Sequence, residues 1–436
     1  MNSENIAKSV VSYCNSLNLE CEVLVNNSVS KSANVRNQEK ESVQIEENCS
    51  IKIKINKNDR SLSISSNNLS NIKELIDSNL EVIDSLPSSD CISTTEVPIK
   101  FQDYKMNSFE PSVDWLFDFS QRTEKSALEN KQITNSDGAC SSYYYNCISF
   151  LNSNGISGSY KKFSYANNLA VVAGSNQDMQ VGYDFCVASD HNKLIDPENF
   201  GCRIASNTVS SLNPQKIGNC NVPVLLDHSV SSSFIDYILS SINGNQVVSK
   251  TTFLKDKLNQ KVFSDNVNID SNPRDVQAVG YRPFDDEGIN SHRVPLIENG
   301  VLKNWMLDRY TAKKLSLESN GHGSKGQSGI TRPGIANISI KPGKLSKDEI
   351  IKSMQSGLYI TSLFGFGVNL TTGDFSQGAQ GFWIANGKIE YPISGITIAS
   401  NLLDMFSEMK FSSDIPSQYI INSPNILFSN MSVACK

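Results

Sequence analysis

Histidine is scarce: there are four in 436 residues, at 191, 228, 292 and 322. No two share the spacing of a helical metal pair, so a zinc site built from local histidines is excluded. C-x-x-C pairs are also missing. The ten cysteines, at 14, 21, 49, 91, 140, 147, 186, 202, 220 and 435, are scattered as reduced thiols would be, not as a disulfide framework. A basic excess is absent, since 39 Lys+Arg face 45 Asp+Glu for a net charge of -6. With no basic stripe to follow a phosphate backbone, no direct nucleic-acid partner is expected. Nor does any stretch approach ~18 uninterrupted apolar residues. The opening residues Met1 to Asn5 lack the basic and apolar regions of an export signal. The expectation is a cytoplasmic chain without a membrane contact. No G-x-S-x-G elbow occurs, and Asn320 to Gly329 is glycine-rich without phosphate-loop spacing.

What is present suffices for a sizeable core. Apolar residues make up 39% and charged ones 19%, and the length points to two domains or more. Ile6, Val10, Cys14 and Leu17 recur at helical spacing behind Ser3. Period-2 runs follow at 22–25, 42–46, 51–55 and 62–64, then a second helix carrying Ile72, Leu75, Ile76, Leu80 and Ile83. Prolines 87, 98 and 111 mark a wandering crossover that ends in a helix near Trp115 to Leu128. Beyond it, Asn154-Gly155, Asn299-Gly300 and Asn386-Gly387 each predict a type I′ hairpin and hence large antiparallel sheets. Asp196-Pro197-Glu198 and Ser346-Lys347-Asp348-Glu349 carry helix-start signals. The fold class expected is α+β. A small N-terminal α/β-sandwich-like domain (1–90) is followed by a linker and crossover helix (91–125), then a large, mainly antiparallel β domain with a few helices (126–436).

Chemistry is sparse. Asp227 and His228 are adjacent, so on a helix they point about 100° apart and cannot both grip one ion from that element. Phe284-Asp285-Asp286-Glu287-Gly288 gathers three carboxylates that could collect a cation or a basic peptide, or form a solvated turn. Gly365-Phe366-Gly367 lacks the βαβ context that would give it meaning.

Longer words in the second half are more specific. Phe284-Asp285-Asp286-Glu287-Gly288 is followed by Ile297 to Lys303 with Met306-Leu307-Asp308-Arg309. Next come Gly367-Val368-Asn369 with Thr372-Gly373-Asp374-Phe375-Ser376, then Gly381 to Gly387 through Tyr391-Pro392-Ile393. In order and spacing they resemble the TldD/PmbA family over most of the chain. The Gly373-Asp374-Phe375-Ser376, Gly381-Phe382-Trp383 and Asn401 to Phe406 wording is similar to the PmbA (TldE) type of subunit. The resemblance implies a two-subunit metallopeptidase, linked by name to DNA gyrase, that cleaves unfolded peptides, including microcin precursors and an antitoxin. In the TldD type, a helical His-Glu-x-x-x-His and a distant Cys hold a catalytic zinc. Here the matching places hold Asp227, His228 and Ser232, and Cys435 stands too close to the end to match the thiol.

The resemblance therefore implies a non-catalytic subunit with no cofactor of its own. Zinc is expected in a TldD-like partner, an unfolded peptide as substrate, and a homodimer when the chain is alone. Phe284, Asp285, Asp286, Glu287, Gly373 and Asp374 are the candidate cleft or partner surface. The alternatives are a free-standing peptidase using Asp227 and His228 with a serine, and a gyrase-related regulatory binding protein.

Overall fold

The structure is a computed structural model that describes residues 3–86, 88, 93–100, 109–175, 178–416, 419 and 421–435. Part of the expected 91–125 linker, with Cys91, falls outside these residues. Ile6, Val10 and Cys14 form the buried stripe of α1 (Ser3–Ser16). The period-2 runs become β1 (Glu20–Arg36), β2 (Glu39–Lys57) and β3 (Arg60–Ser66), with 42–46 and 51–55 lying in one long strand. The next elements are α2 (Ile72–Ile83), α3 (Val113–Leu128), β4 (Ile133–Asn152), β5 (Ser157–Ala173), β6 (Gln180–Ala188) and α4 (Pro197–Ser210). Ser112 and Asp196 cap α3 and α4, each accepting a backbone N–H three residues on.

β1 to β6 form one antiparallel sheet in the order β3-β2-β1-β4-β5-β6. β1 pairs along one edge with β2 and along the other with β4, from Glu22↔Asn152 to Val35↔Ala139. The first ninety residues thus share a sheet with strands that follow the crossover. Because side chains alternate across a strand, the two faces separate cleanly. Val23, Val25, Ile51 and Ile53 pack beneath α1 and α2, while Leu169 and Val171 pack under α3 and α4. Leu24, Ile148, Phe150 and Tyr160 point the other way and meet Tyr281 and Phe284 of the second half.

The second half begins with β7 (Cys220–Leu226), α5 (His228–Ser241), α6 (Gly244–Val248) and β8 (Ile269–Ser271), then β9 (Val294–Glu298), β10 (Val301–Leu302), α7 (Arg309–Leu315), β11 (Gly323–Lys325), β12 (Thr331–Pro333) and β13 (Ile338–Ile340). It ends with α8 (Lys347–Ser353), β14 (Ser356–Phe364), β15 (Val368–Asn369), β16 (Asp374–Ala385), β17 (Lys388–Asn401), α9 (Leu402–Glu408), β18 (Lys410–Phe411) and β19 (Ile426–Cys435). The order β14-β7-β19-β17-β16, with β16 pairing back onto β14, closes a five-stranded barrel. Within it β7 and β14 run parallel. Phe234, Ile235, Ile238 and Leu239 of α5 belong to the apolar core formed with this barrel. The chain is therefore mixed α+β and dominated by strands. Among the described residues, no helix is long and apolar enough to cross a membrane.

Two of the three Asn-Gly turns have both central residues at positive φ, Asn299/Gly300 and Asn386/Gly387, as a type I′ turn requires. The third differs. The β4–β5 loop spans 153–156, and of its Asn-Gly pair Gly155 alone has positive φ. Asn152 Oδ1 accepts the N–H groups of Asn154 and Ile156 and so organises a wider loop.

Candidate functional site

Asp227 stands where β7 ends and α5 begins. Its backbone N–H donates to Ile360 O of β14 at 2.8 Å, which ties the helix start to the barrel wall. Its extended backbone lets Oδ1 accept the Ser229 N–H at 3.0 Å and the Ser229 hydroxyl at 2.7 Å, the bonds of a helix N-cap. The Tyr359 hydroxyl donates to Oδ2, and His228 Nδ1 lies 3.2 Å from Oδ1. Burial alone would raise this carboxyl. The His228 hydrogen bond and charge, the Tyr359 hydroxyl and the Ser229 N–H outweigh it and hold the group well below the usual range.

His228 is fixed through its backbone N–H, which donates to Asn425 Oδ1 at 3.0 Å. Its ring centroid lies 5.5 Å from that of Tyr419. The Tyr419 hydroxyl donates to Asp184 Oδ1 at 3.2 Å, and Arg203 pairs with Asp184 at 2.8 Å. Burial raises the Asp184 carboxyl even so. Asp227, His228, Tyr359, Asp184 and Arg203 line a cavity of about 560 Å³. Ser232, one turn into α5, donates its hydroxyl to Ser229 O at 3.1 Å and faces a second cavity. Ser229 lines both.

The acidic stretch lies mostly inside the protein. Phe284, Asp285 and Glu287 are at most 1% exposed. Asp285 accepts the N–H groups of Glu287, Ile289 and Gly323 at 2.8 to 2.9 Å. Burial and the neighbouring Glu287 push its carboxyl up to about 7. Glu287 accepts the Arg309 N–H at 2.8 Å, and Arg309 in turn pairs with the fully buried Glu22 of β1. Lys325 reaches Glu22 at 3.4 Å. Asp286 lines the second cavity. Gly373 lies in the turn before β16 and Asp374 opens the strand, exposed and accepting the Thr372 hydroxyl at 2.6 Å. They line neither cavity.

Residues 107–212 match the PmbA/TldA metallopeptidase central domain, and residues 219–435 match its C-terminal domain. The "Metalloprotease PmbA homolog" of Buchnera aphidicola is 32% identical over 440 residues, covering 99% of this chain and 96% of that protein. The chain belongs to the PmbA/TldD family. The "Metalloprotease PmbA" of Escherichia coli O157:H7 is 31% identical, with 95% and 92% of the two chains covered. The crystal structure of TldE from Thermococcus kodakarensis has the same fold, with a TM-score of 0.88, 22% identity and 99% of each chain covered.

The residues that the resemblance sets at the metal motif do not form a donor set that fits a zinc ion, since Asp227 and Ser232 open on different cavities. Both oxygens of Asp227 are already engaged, and Ser232 offers a neutral hydroxyl. Among the described residues, no three His, Cys, Asp or Glu side chains are arranged to hold a metal. Beside Asp227 and His228, the Ser229 hydroxyl donates to Asp227. Ser271 and Asn320 flank His322, at 3.0 and 2.7 Å from its ring nitrogens. Burial, with Arg282 and His292, pushes that imidazole down to about 3, and Ser271 is fully buried. Tyr359, Tyr419, Asp184 and Arg203 carried no motif in the sequence. Asp227 itself reads in the sequence as a helix-start carboxylate beside a polar imidazole, and it caps α5.

Proposed function

We propose that this chain is the PmbA (TldE)-type subunit of a two-subunit peptidase, without a catalytic metal of its own. It pairs with a TldD-like metallopeptidase subunit and completes a chamber that admits unfolded peptides. The observation that carries this reading is the commitment of Asp227 to capping α5 and to Tyr359, on a different cavity from Ser232. A zinc site needs three converging donors with free lone pairs, and this helix start offers none such. On this reading zinc belongs to the partner, the complex works in the cytoplasm, and the chain forms homodimers when alone.

The test is to purify the chain alone, measure its metal content and peptidase activity, and then mix it with a TldD-like chain bearing His-Glu-x-x-x-His. The expected result is sub-stoichiometric zinc and no cleavage alone, followed by exchange into heterodimers that cleave unfolded peptides. Stoichiometric zinc held by Asp227 or His228, or cleavage by the isolated chain, would overturn it.

A further inference from the structure

The second cavity, about 690 Å³, lies between the helix-free face of the six-stranded sheet and the start of α5. Period-2 alternation puts Asn26 of β1, Lys52 of β2 and Lys162 of β5 on this face, and Arg282 and Lys325 close it from the other side. Lys325 is compensated by Glu22. That leaves Lys52, Lys162 and Arg282 against the carboxylates of Asp286 and Asp236. Three cationic side chains thus meet in one cavity, which suits an anionic ligand group.

The polar atoms here are underused. Lys52 Nζ donates to Lys325 O at 2.6 Å, and Arg282 donates to Gly323 O at 3.1 Å and Gly321 O at 3.2 Å, so both are bound to carbonyls and not to acids. Arg282 is 8% exposed, and its buried Nε–H has no partner. Asn26 Oδ1 is likewise buried without a donor. A ligand that supplies both a carboxylate and an N–H would satisfy these atoms. Leu24, Ile148 and Tyr160 give the same cavity an apolar wall. Burial and the adjacent Arg282 lower the Lys162 ammonium, with Asp286 opposing them, and a bound carboxylate would favour its charged form.

We propose that this cavity is a subsite for the C-terminal end of an unfolded peptide, with Lys162 and Arg282 facing its α-carboxylate and Asn26 accepting a backbone N–H. The assignment rests on the peptide-processing reading above. It places the peptide end beside Ser229 and Ser232, one cavity away from Asp227.

The test uses the full chain without its partner and a short fluorescein-labelled unstructured peptide ending in leucine, as free acid or as C-terminal amide. Fluorescence anisotropy should give about tenfold tighter binding of the acid, the scale of one charge-assisted contact. Lys162→Ala should bring acid and amide to near parity, and Lys162→Arg should restore the preference. Equal affinity for the two peptides in the wild-type chain, no binding of either, or a preference untouched by Lys162→Ala would overturn the subsite. Displacement of the peptide by acetate at comparable concentrations would also overturn it, by assigning the cavity to a small free anion. No cleavage is read, so these outcomes are independent of the metal assignment. Acid selectivity in a chain that fails to activate a TldD-like partner would count against the proposed function alone.

Discussion

At the scale of single residues, the most consequential group is Glu22, a carboxylate with no exposure that meets Arg309 and Lys325. Removing one member of such a buried cluster leaves uncompensated charge behind. Glu22→Ala should therefore cost about 3–5 kcal/mol, read as a lower urea midpoint. Asp285 makes a second prediction. Its native pKa, about 7, lies above its ordinary value, so the native state holds a proton that the unfolded chain releases. That contribution is complete below the ordinary carboxylate range, about pH 4, and is lost as pH rises through 7. Burial raises Glu287 in the same direction. Stability should fall between about pH 4 and 7 in urea titrations, and Asp285→Ala should flatten that slope. A slope unchanged by the substitution would contradict the assignment. The acidic triplet was visible in the sequence but its burial was not, because its cationic neighbours Arg309 and Lys325 come from separate segments.

At the scale of elements, local chemistry was legible. Ser112, Asp196 and Ser346 start the helices where their side chains can cap them. The Asn-Gly pairs mark real turns, although Asn154-Gly155 sits in a wider loop because Asn152 takes over the hydrogen bonds. The two kinds of turn should respond differently to a methyl group. A Cβ at Gly300 would lie 2.3 Å from Phe263 O, whereas one at Gly155 meets nothing within 4 Å. Gly155→Ala should then cost about 1 kcal/mol for its positive φ, and Gly300→Ala clearly more. Equal changes in thermal midpoint would show that the turn at 299–300 relaxes freely. Long-range pairing was not legible. Nothing local in β1 announces that its second edge belongs to β4, or that β7 runs parallel to β14, since these partners are set by burial of whole faces.

At the scale of the whole molecule, a six-stranded sheet with helices on one face meets a closed barrel, and the start of α5 lies between two cavities where they come together. The family words in the sequence located that helix start, and the cap geometry explains what Asp227 does there. The central claim is that this helix start supplies no catalytic group to the assembled peptidase. The measurement that tests it most directly is peptide cleavage by the reconstituted pair when this chain carries Asp227→Ser, which keeps an N-cap residue, together with His228→Ala. Near-normal cleavage is expected, whereas substitution of the corresponding partner histidines should abolish it. A variant pair that assembles normally yet loses all cleavage would contradict the account.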